Sequence, residues 1–164
     1  MRILYKYHTA LIFTVLLTVL AIFSLLLVKD NMSMERLKFG IERNVLVLFK
    51  HNFLICLTII LGGLTLSFIS IAYLSISLFA TFSGFFDRWF QVGFIPSLAI
   101  LPHGIFEIFA LYLAFKLALM ISRWLFAYLF LEKRQFDKKY FIKLFSVMLV
   151  SLILAAAIEV YVRI

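Results

Sequence analysis

The sequence predicts an all-α fold: a polytopic integral membrane helical bundle with four to six membrane-crossing or half-crossing helices. Three observations carry that prediction. The 164 residues are 65% hydrophobic and only 15% charged, with a mean hydropathy of +1.12. Soluble domains average roughly 45–50% apolar and about 25% charged residues, so this chain has too few polar side chains to cover a globule in water. The apolar residues also come in long runs: Phe53 to Phe86 is 34 residues without a charge, where one straight crossing needs about 20. Finally, runs such as LIFTVLLTVLAIFSLLLV lack the alternation of polar and apolar positions that barrel strands show.

The chain reads as one membrane domain, 1–164, whose elements follow in order. Residues 9–28 form a first span, preceded by Arg2 and Lys6. This run exceeds a signal-peptide core and ends in LLLVKDN without small-residue cleavage chemistry, so it reads as a retained helix. Residues 29–52 mix Met34, Leu37, Phe39, Ile41, Val45 and Leu48 with Glu35, Arg36, Lys38, Glu42 and Arg43. That is the pattern of an amphipathic cytoplasmic segment on the membrane surface, or of a solvated loop.

Residues 53–86 are a long or broken span. Gly62 and Gly63 offer a place for close helix packing, because small residues let backbones approach in lipid. Serines 67, 70, 75, 77 and 83 can bond to carbonyls of their own helix. DRWFQVG then reads as a short loop, with Trp89 placed like an interfacial anchor. Residues 94–131 form a broken span interrupted by Pro102-His103-Gly104, Glu107, Lys116 and Arg123. After a basic loop comes a last span, 141–162, with Glu159 near its end.

The net charge of +8 does not point to nucleic acid. Its lysines and arginines sit in short connections beside apolar runs, where membrane proteins keep topology signals and contact anionic lipid. Segment 29–52 carries Lys29, Arg36, Lys38, Arg43 and Lys50, and segment 132–143 carries Lys133, Arg134, Lys138, Lys139 and Lys143. The positive-inside rule places both on the cytoplasmic side, which requires an even number of crossings between them and puts both termini outside. Arg2 and Lys6 pull the other way. The lone Cys56 lies in an apolar run and reads as a small hydrophobe, with no neighbouring thiolate or imidazole pattern for a metal.

The stretch LPHGIFEIF concentrates the chemistry. Pro102 suits the first turn of a helix, and Gly104 permits close approach. From there His103 and Glu107, four residues apart, share a face. An ionisable group at the bilayer centre costs about 2.5–3.5 kcal/mol or more, so two on one face indicate a protein interior or a wet cavity. Three roles fit: a hydrogen-bonded lock on a broken helix, a polar pocket for a peptide or proton with Pro102, His103, Gly104, Glu107 and Lys116 around it, or catalysis or metal binding by His103 and Glu107. The last lacks the second histidine of HExxH and any nucleophile tied to it by spacing. Lys116 and Arg123, seven apart, share a face roughly opposite this pair. No metal set is evident, and no nucleotide-binding loop is present, so any ATP dependence belongs to a partner.

LPHGIFEIFALYLA resembles the signature of the stage II sporulation protein M family, in which an apolar segment leads into Pro-His-Gly and, two residues later, Glu. The match falls on Pro102, His103, Gly104 and Glu107. HNFLICLTIILGG is similar to that family's segment in which an asparagine precedes a span ending at small residues, here Asn52, Gly62 and Gly63. The resemblance covers about residues 44–130. Two departures are plain: AYLSISLFA stands where an Asn-Gly break is common, and ALMISRWLF replaces a glycine-rich stretch after the glutamate.

The resemblance implies one of two roles. One branch of the family scaffolds cell-wall hydrolases during septal remodelling. The other comprises small membrane proteins that mature, export or confer immunity to circular bacteriocins beside an ABC-type ATPase subunit, and the short connections here look more like that branch. The expectation is a multi-pass protein of a Gram-positive cytoplasmic membrane that handles a hydrophobic peptide substrate. Its partners would be an ABC-type ATPase or other membrane subunits and the lipid bilayer, with homo-oligomers allowed. His103 and Glu107 would line an outward-facing pocket, and the two basic segments would dock the ATPase. The alternatives are the sporulation-type scaffold and an intramembrane peptide ligase or protease subunit.

Overall fold

A computed structural model describes residues 2–30, 44–130 and 136–162. All the regular structure in them is helical. α1 is Arg2–Asp30, α2 Val45–Leu61, α3 Phe68–Val92, α4 the short Phe94–Ser97, α5 Leu101–Phe130 and α6 Lys138–Val162. Five of these, all but α4, are long and apolar enough to cross a membrane. The bundle is thus the all-α polytopic architecture that the composition predicts. Most of the amphipathic pattern in 29–52, and the Glu132–Arg134 part of the basic loop, lie outside the described residues.

Local chemistry sets the helix starts. Asn44 caps α2, its side-chain oxygen accepting from the Leu46 N–H at 2.9 Å. Asp137 does the same for α6, accepting from the Tyr140 N–H at 3.0 Å. Each cap satisfies a donor that would otherwise be orphaned at a helix end. Because α2 starts at Val45, residues 45–52 belong to a helix of spanning length and not to a surface segment. Leu48, Phe49 and Phe53 supply its apolar content there, and Lys50 is exposed, free to extend toward the interface.

The charge-free run is broken in its first half. A 3-10 turn over Gly62–Thr65 is followed by Leu66 (φ 52°) and Ser67 (φ 71°), both left-handed, and the chain reverses into α3. Ser70 Oγ donates to the Ile59 carbonyl at 2.7 Å across the reversal, so that serine bonds to the other arm and not to its own helix. Ser75 and Ser77 do bond within α3, to Ile71 and Tyr73. The hydroxyls of Ser67 and Ser83 have no hydrogen-bond partner among the described residues. The two glycines make the tight reversal fit. A Cβ on Gly62 would stand 2.6 Å from the Ser70 nitrogen, and one on Gly63 would run into the Ala118 carbonyl oxygen.

DRWFQV, expected as a loop, completes α3 instead. Trp89 packs against Phe86, Phe90 and Phe94, and Gln91 donates to Asp87 one turn earlier at 2.8 Å. Only Gly93 (φ 93°) interrupts the helical path before α4. The break in the 94–131 run lies ahead of Pro102, in α4 and the 3-10 turn over Leu98–Ile100, and α5 then continues without interruption.

Specific contacts give the helix directions. Asn52 of α2 and Gly63 of the 3-10 turn that follows it meet Glu107 and Ala118 of α5 respectively, so α2 and α5 run the same way. Lys116 lies over the Tyr140 ring, whereas Glu159 shares a cavity with His103, so α6 returns along α5. α1 lies against α3, with Ser24 donating to the Phe79 carbonyl at 3.4 Å, and it also reaches α5, where Phe13 stands edge-on to Tyr112. α5 is central, with 44% of its apolar window buried against 11% for α1. Ala110, Ala114 and Ala118, fully buried at four-residue spacing, let neighbours approach it closely. The exposed apolar side chains of α1, such as Leu11, Val15, Val19 and Leu26, face the surroundings and suit lipid.

This arrangement overturns the even crossing count. The connection over 31–43 enters the start of α2, the one over 131–135 leaves the end of α5, and those helices are parallel. The start of α2 and the end of α5, which the two basic segments adjoin in sequence, therefore lie at opposite ends of the bundle, with three helices long and apolar enough to cross a membrane between them.

Candidate functional site

His103 and Glu107 sit on one face of α5, as their spacing demands, and both line the same cavity, of about 490 Å³. His103 is 6% exposed and Glu107 half-buried. α2 contributes Leu48, His51 and Asn52, α3 contributes residues from Ala80 to Phe86, and α6 contributes Glu159. Asn52 Nδ2 donates to Glu107 Oε1 at 2.6 Å. That bond joins the two parts of the motif resemblance, 55 residues apart in sequence, and fixes one carboxylate oxygen toward α2.

The polar groups converge: two carboxylates, two imidazoles and an amide. The walls are apolar, with Phe82, Phe85 and Phe86 from α3 and Leu101, Ile105 and Ile108 from α5. An apolar hollow of several hundred Å³ with a few convergent polar groups is the usual form of a small-ligand site. A second hollow, of about 150 Å³, adjoins it through His51, Asn52, Ala80, Thr81 and Glu107 and reaches inward to Cys56, Ser77, Leu111 and Leu152.

Beyond those four residues the bundle closes. Ile59, Leu74, Leu78, Ala114, Phe115, Leu117 and Met148 are buried and packed in one cluster. The recess is therefore blind, with its polar groups in the half of the bundle where α2 and α5 begin.

The other sequence-predicted residues divide. Gly104 is buried and lines the cavity, but nothing lies within 4 Å of where its Cβ would be. It leaves the hollow open and does not serve a close helix contact. Gly84, at the same cavity, also has open space at that position. Pro102 is exposed and does not line the recess. Lys116 stands outside it as well: nine residues beyond Glu107 on α5, about 13 Å along the axis, its ammonium lies 5.5 Å from the Tyr140 ring centre.

Sequence reasoning placed none of His51, Glu159, Gly84 or the α3 phenylalanines in a site. The one available signal was Glu159 itself, an ionisable residue inside an apolar span, which by the argument applied to Glu107 should face an interior.

For catalysis the arrangement is thin. Cys56 is 1% exposed, and no hydrogen bond ties its sulfur to an imidazole among the described residues. Although two imidazoles and two carboxylates line the cavity, no three of the described His, Cys, Asp or Glu side chains are grouped so as to hold a metal ion. What the recess can do is bind: it offers hydrogen-bonding side chains at one wall and apolar surface at the others.

The model of the family described as Stage II sporulation protein M matches residues 9–162, from α1 to the end of α6. Neither the curated proteins nor the solved structures contain a match.

Proposed function

Given that the chain belongs to the stage II sporulation protein M family, we propose that it is a membrane component in the maturation or export of a hydrophobic circular bacteriocin. It works in a bacterial cytoplasmic membrane beside an ABC-type ATPase, which supplies the nucleotide chemistry this chain has no loop for. The observation that carries the reading is the recess. Its volume of about 490 Å³ matches a few peptide side chains, its walls are apolar, and its polar groups lie on one side. The blind floor favours a site that holds a segment over a pore that conducts one. His103 and Glu107 are binding residues in this reading, Glu107 being positioned by Asn52. Lys116, outside the recess, belongs to the opposite half of the bundle and has no part in the pocket.

The family resemblance also implies a second reading, a sporulation-type scaffold for cell-wall remodelling, in which the recess is incidental. One experiment separates the two. In a strain that makes the peptide, His103→Ala, Glu107→Ala and Gly104→Leu are compared for exported circular peptide, retained precursor and abundance of the protein. The expectation is at least a tenfold fall in exported peptide with the protein still abundant. Unchanged peptide in all three variants overturns the proposal in favour of the scaffold. Loss of the protein in step with the peptide reduces His103 and Glu107 to a structural lock, and accumulation of linear precursor moves the reading to an enzyme.

A further inference from the structure

The borders of the recess show from which direction it is reached. Toward the bundle end it is roofed by aromatic rings. Phe85 and Phe86 line the cavity and carry Trp89 behind them, with ring centroids 6.2 and 6.0 Å away. Trp89 in turn meets Phe94 at 5.0 Å. These side chains cover the hollow at that end, as the packed core closes it below.

The side between α2 and α3 is different. Ser77, Ala80, Thr81 and Gly84 line the two hollows at the i, i+3, i+4, i+7 spacing of one helix face, so α3 turns only small side chains to this gap. Nearer the reversal Leu74 and Leu78 are fully buried and α3 is tightly packed. Away from it, His51 of α2 and Ala80 and Gly84 of α3 line the cavity and are all exposed. A Cβ on Gly84 would meet nothing within 4 Å. Between these three residues the surroundings reach the hollow.

Depth decides what those surroundings are. Gly84 and Ala80 precede Trp89 on α3 by about 7 and 13 Å along the axis. His51 lies about 9 Å inside the start of α2. Tryptophan favours the membrane interface, and Asp87 and Gln91, both exposed, hold that level beside Trp89. The opening therefore lies at hydrocarbon depth.

We infer that the recess takes its peptide sideways from the bilayer, through a window between α2 and α3 bordered by His51, Ala80 and Gly84. This rests on the recess being a peptide site, and it adds the phase from which the peptide arrives. The occupant is then a chain already dissolved in lipid, whose apolar side chains pass from hydrocarbon to the α3 phenylalanines. A lipid tail is the rival occupant, and the polar wall favours peptide. His51, Asn52, His103 and Glu107 line the hollow, each able to make more than one hydrogen bond. An acyl chain offers them nothing, whereas a peptide backbone brings donors and acceptors that lipid leaves unsatisfied.

The test has a physical arm and a functional one. In the full chain carrying Cys56→Ala, nitroxide labels are attached at Gly84→Cys in the window and Gly104→Cys inside the recess. Val19→Cys on the exposed face of α1 and Lys139→Cys at the opposite bundle end are the lipid and water controls. Relaxation is read in lipid nanodiscs with oxygen, which concentrates in hydrocarbon, and with a water-soluble nickel chelate. The labels at 84 and 104 are expected to follow the one at 19, relaxed at least fivefold more by oxygen than by the chelate. If the chelate reaches position 104 as readily as position 139, or neither reagent reaches it, the inference is overturned.

In a strain that makes the peptide, Ala80→Phe combined with Gly84→Phe fills the window. Exported peptide should fall at least tenfold with the protein still abundant. The photoreactive residue p-benzoylphenylalanine in place of Ala80 should crosslink the peptide on illumination, and it decides the matter if the double variant fails to accumulate. Normal export by an abundant double variant, or crosslinks to phospholipid alone, overturns the inference. The proposed function fails separately. Unchanged export in Gly104→Leu removes the peptide site itself. Export lost in Gly104→Leu but retained in the window variant leaves that site standing and sinks only the sideways route.

Discussion

At the scale of single residues, the glycines of this chain do opposite jobs. Gly63, in the turn after α2, touches the backbone of α5, and any side chain there meets the Ala118 carbonyl. Gly104 faces empty space on a helix interior. Gly63→Ala is therefore expected to lower the melting temperature of the protein in detergent, with an overpacking cost of about 1–3 kcal/mol. Gly104→Ala should leave it unchanged or raise it, since alanine in a helix interior gains roughly 0.5–1 kcal/mol over glycine. Thermal unfolding of the two variants side by side checks this; equal losses would mean that the close approach at Gly63 is wrong.

His103 and Glu107 were legible in sequence because polar residues stand out against hydrocarbon, and their spacing alone puts them on one face. The phenylalanines that complete the recess were not. Phe82, Phe85 and Phe86 look like any other apolar residue in a charge-free run, and only the fold distinguishes a cavity wall from a lipid-facing one.

At the scale of elements, the reversal between α2 and α3 is the feature that hydropathy hides. No charge marks the turn from Gly62 to Ser67, so the pattern shows one overlong run where the chain makes two antiparallel helices. Gly62-Gly63 was a visible signal, but it reads equally as a packing site, and here it is both. The reversal also places Leu66 and Ser67 at positive φ, a conformation that costs a non-glycine residue of order 1 kcal/mol or more. Leu66→Gly should relieve part of that and raise the melting temperature by a few degrees, whereas Leu66→Pro, locked near φ −65°, should prevent accumulation of folded protein. If Leu66→Gly lowers stability instead, the turn is built differently. The opposite error occurred at DRWFQV. Charges at Asp87 and Arg88 suggest a loop, yet the last turns of α3 hold them at the bundle end, where an aromatic cluster around Trp89 gives the helix a reason to continue.

At the scale of the whole molecule, charge counting and helix counting disagree, and the directions of α2 and α5 decide between them. Three spans separate the two basic segments, so Arg2 and Lys6 fall on the side of the 131–143 cluster, removing the conflict between them. The recess lies at the end where α2 begins. An outward-facing recess and a cytoplasmic 31–43 connection therefore cannot both hold. Single-cysteine labelling measures the arrangement directly. Leu46→Cys, at a position 70% exposed, and Lys139→Cys should react with a membrane-impermeant maleimide from opposite sides of the membrane. Native Cys56, 1% exposed, should give little background. Labelling of both from one side would restore the even count.

The sealed layer beneath Cys56 and Leu152 has an electrical consequence. A bundle that carries two carboxylates and two imidazoles into the bilayer risks short-circuiting the cell, because such groups pass protons readily when a file of water connects the two faces. Here Ile59, Leu78, Phe115 and Met148 pack together beneath the recess, an insulating layer that lets its polar groups and the transmembrane voltage coexist.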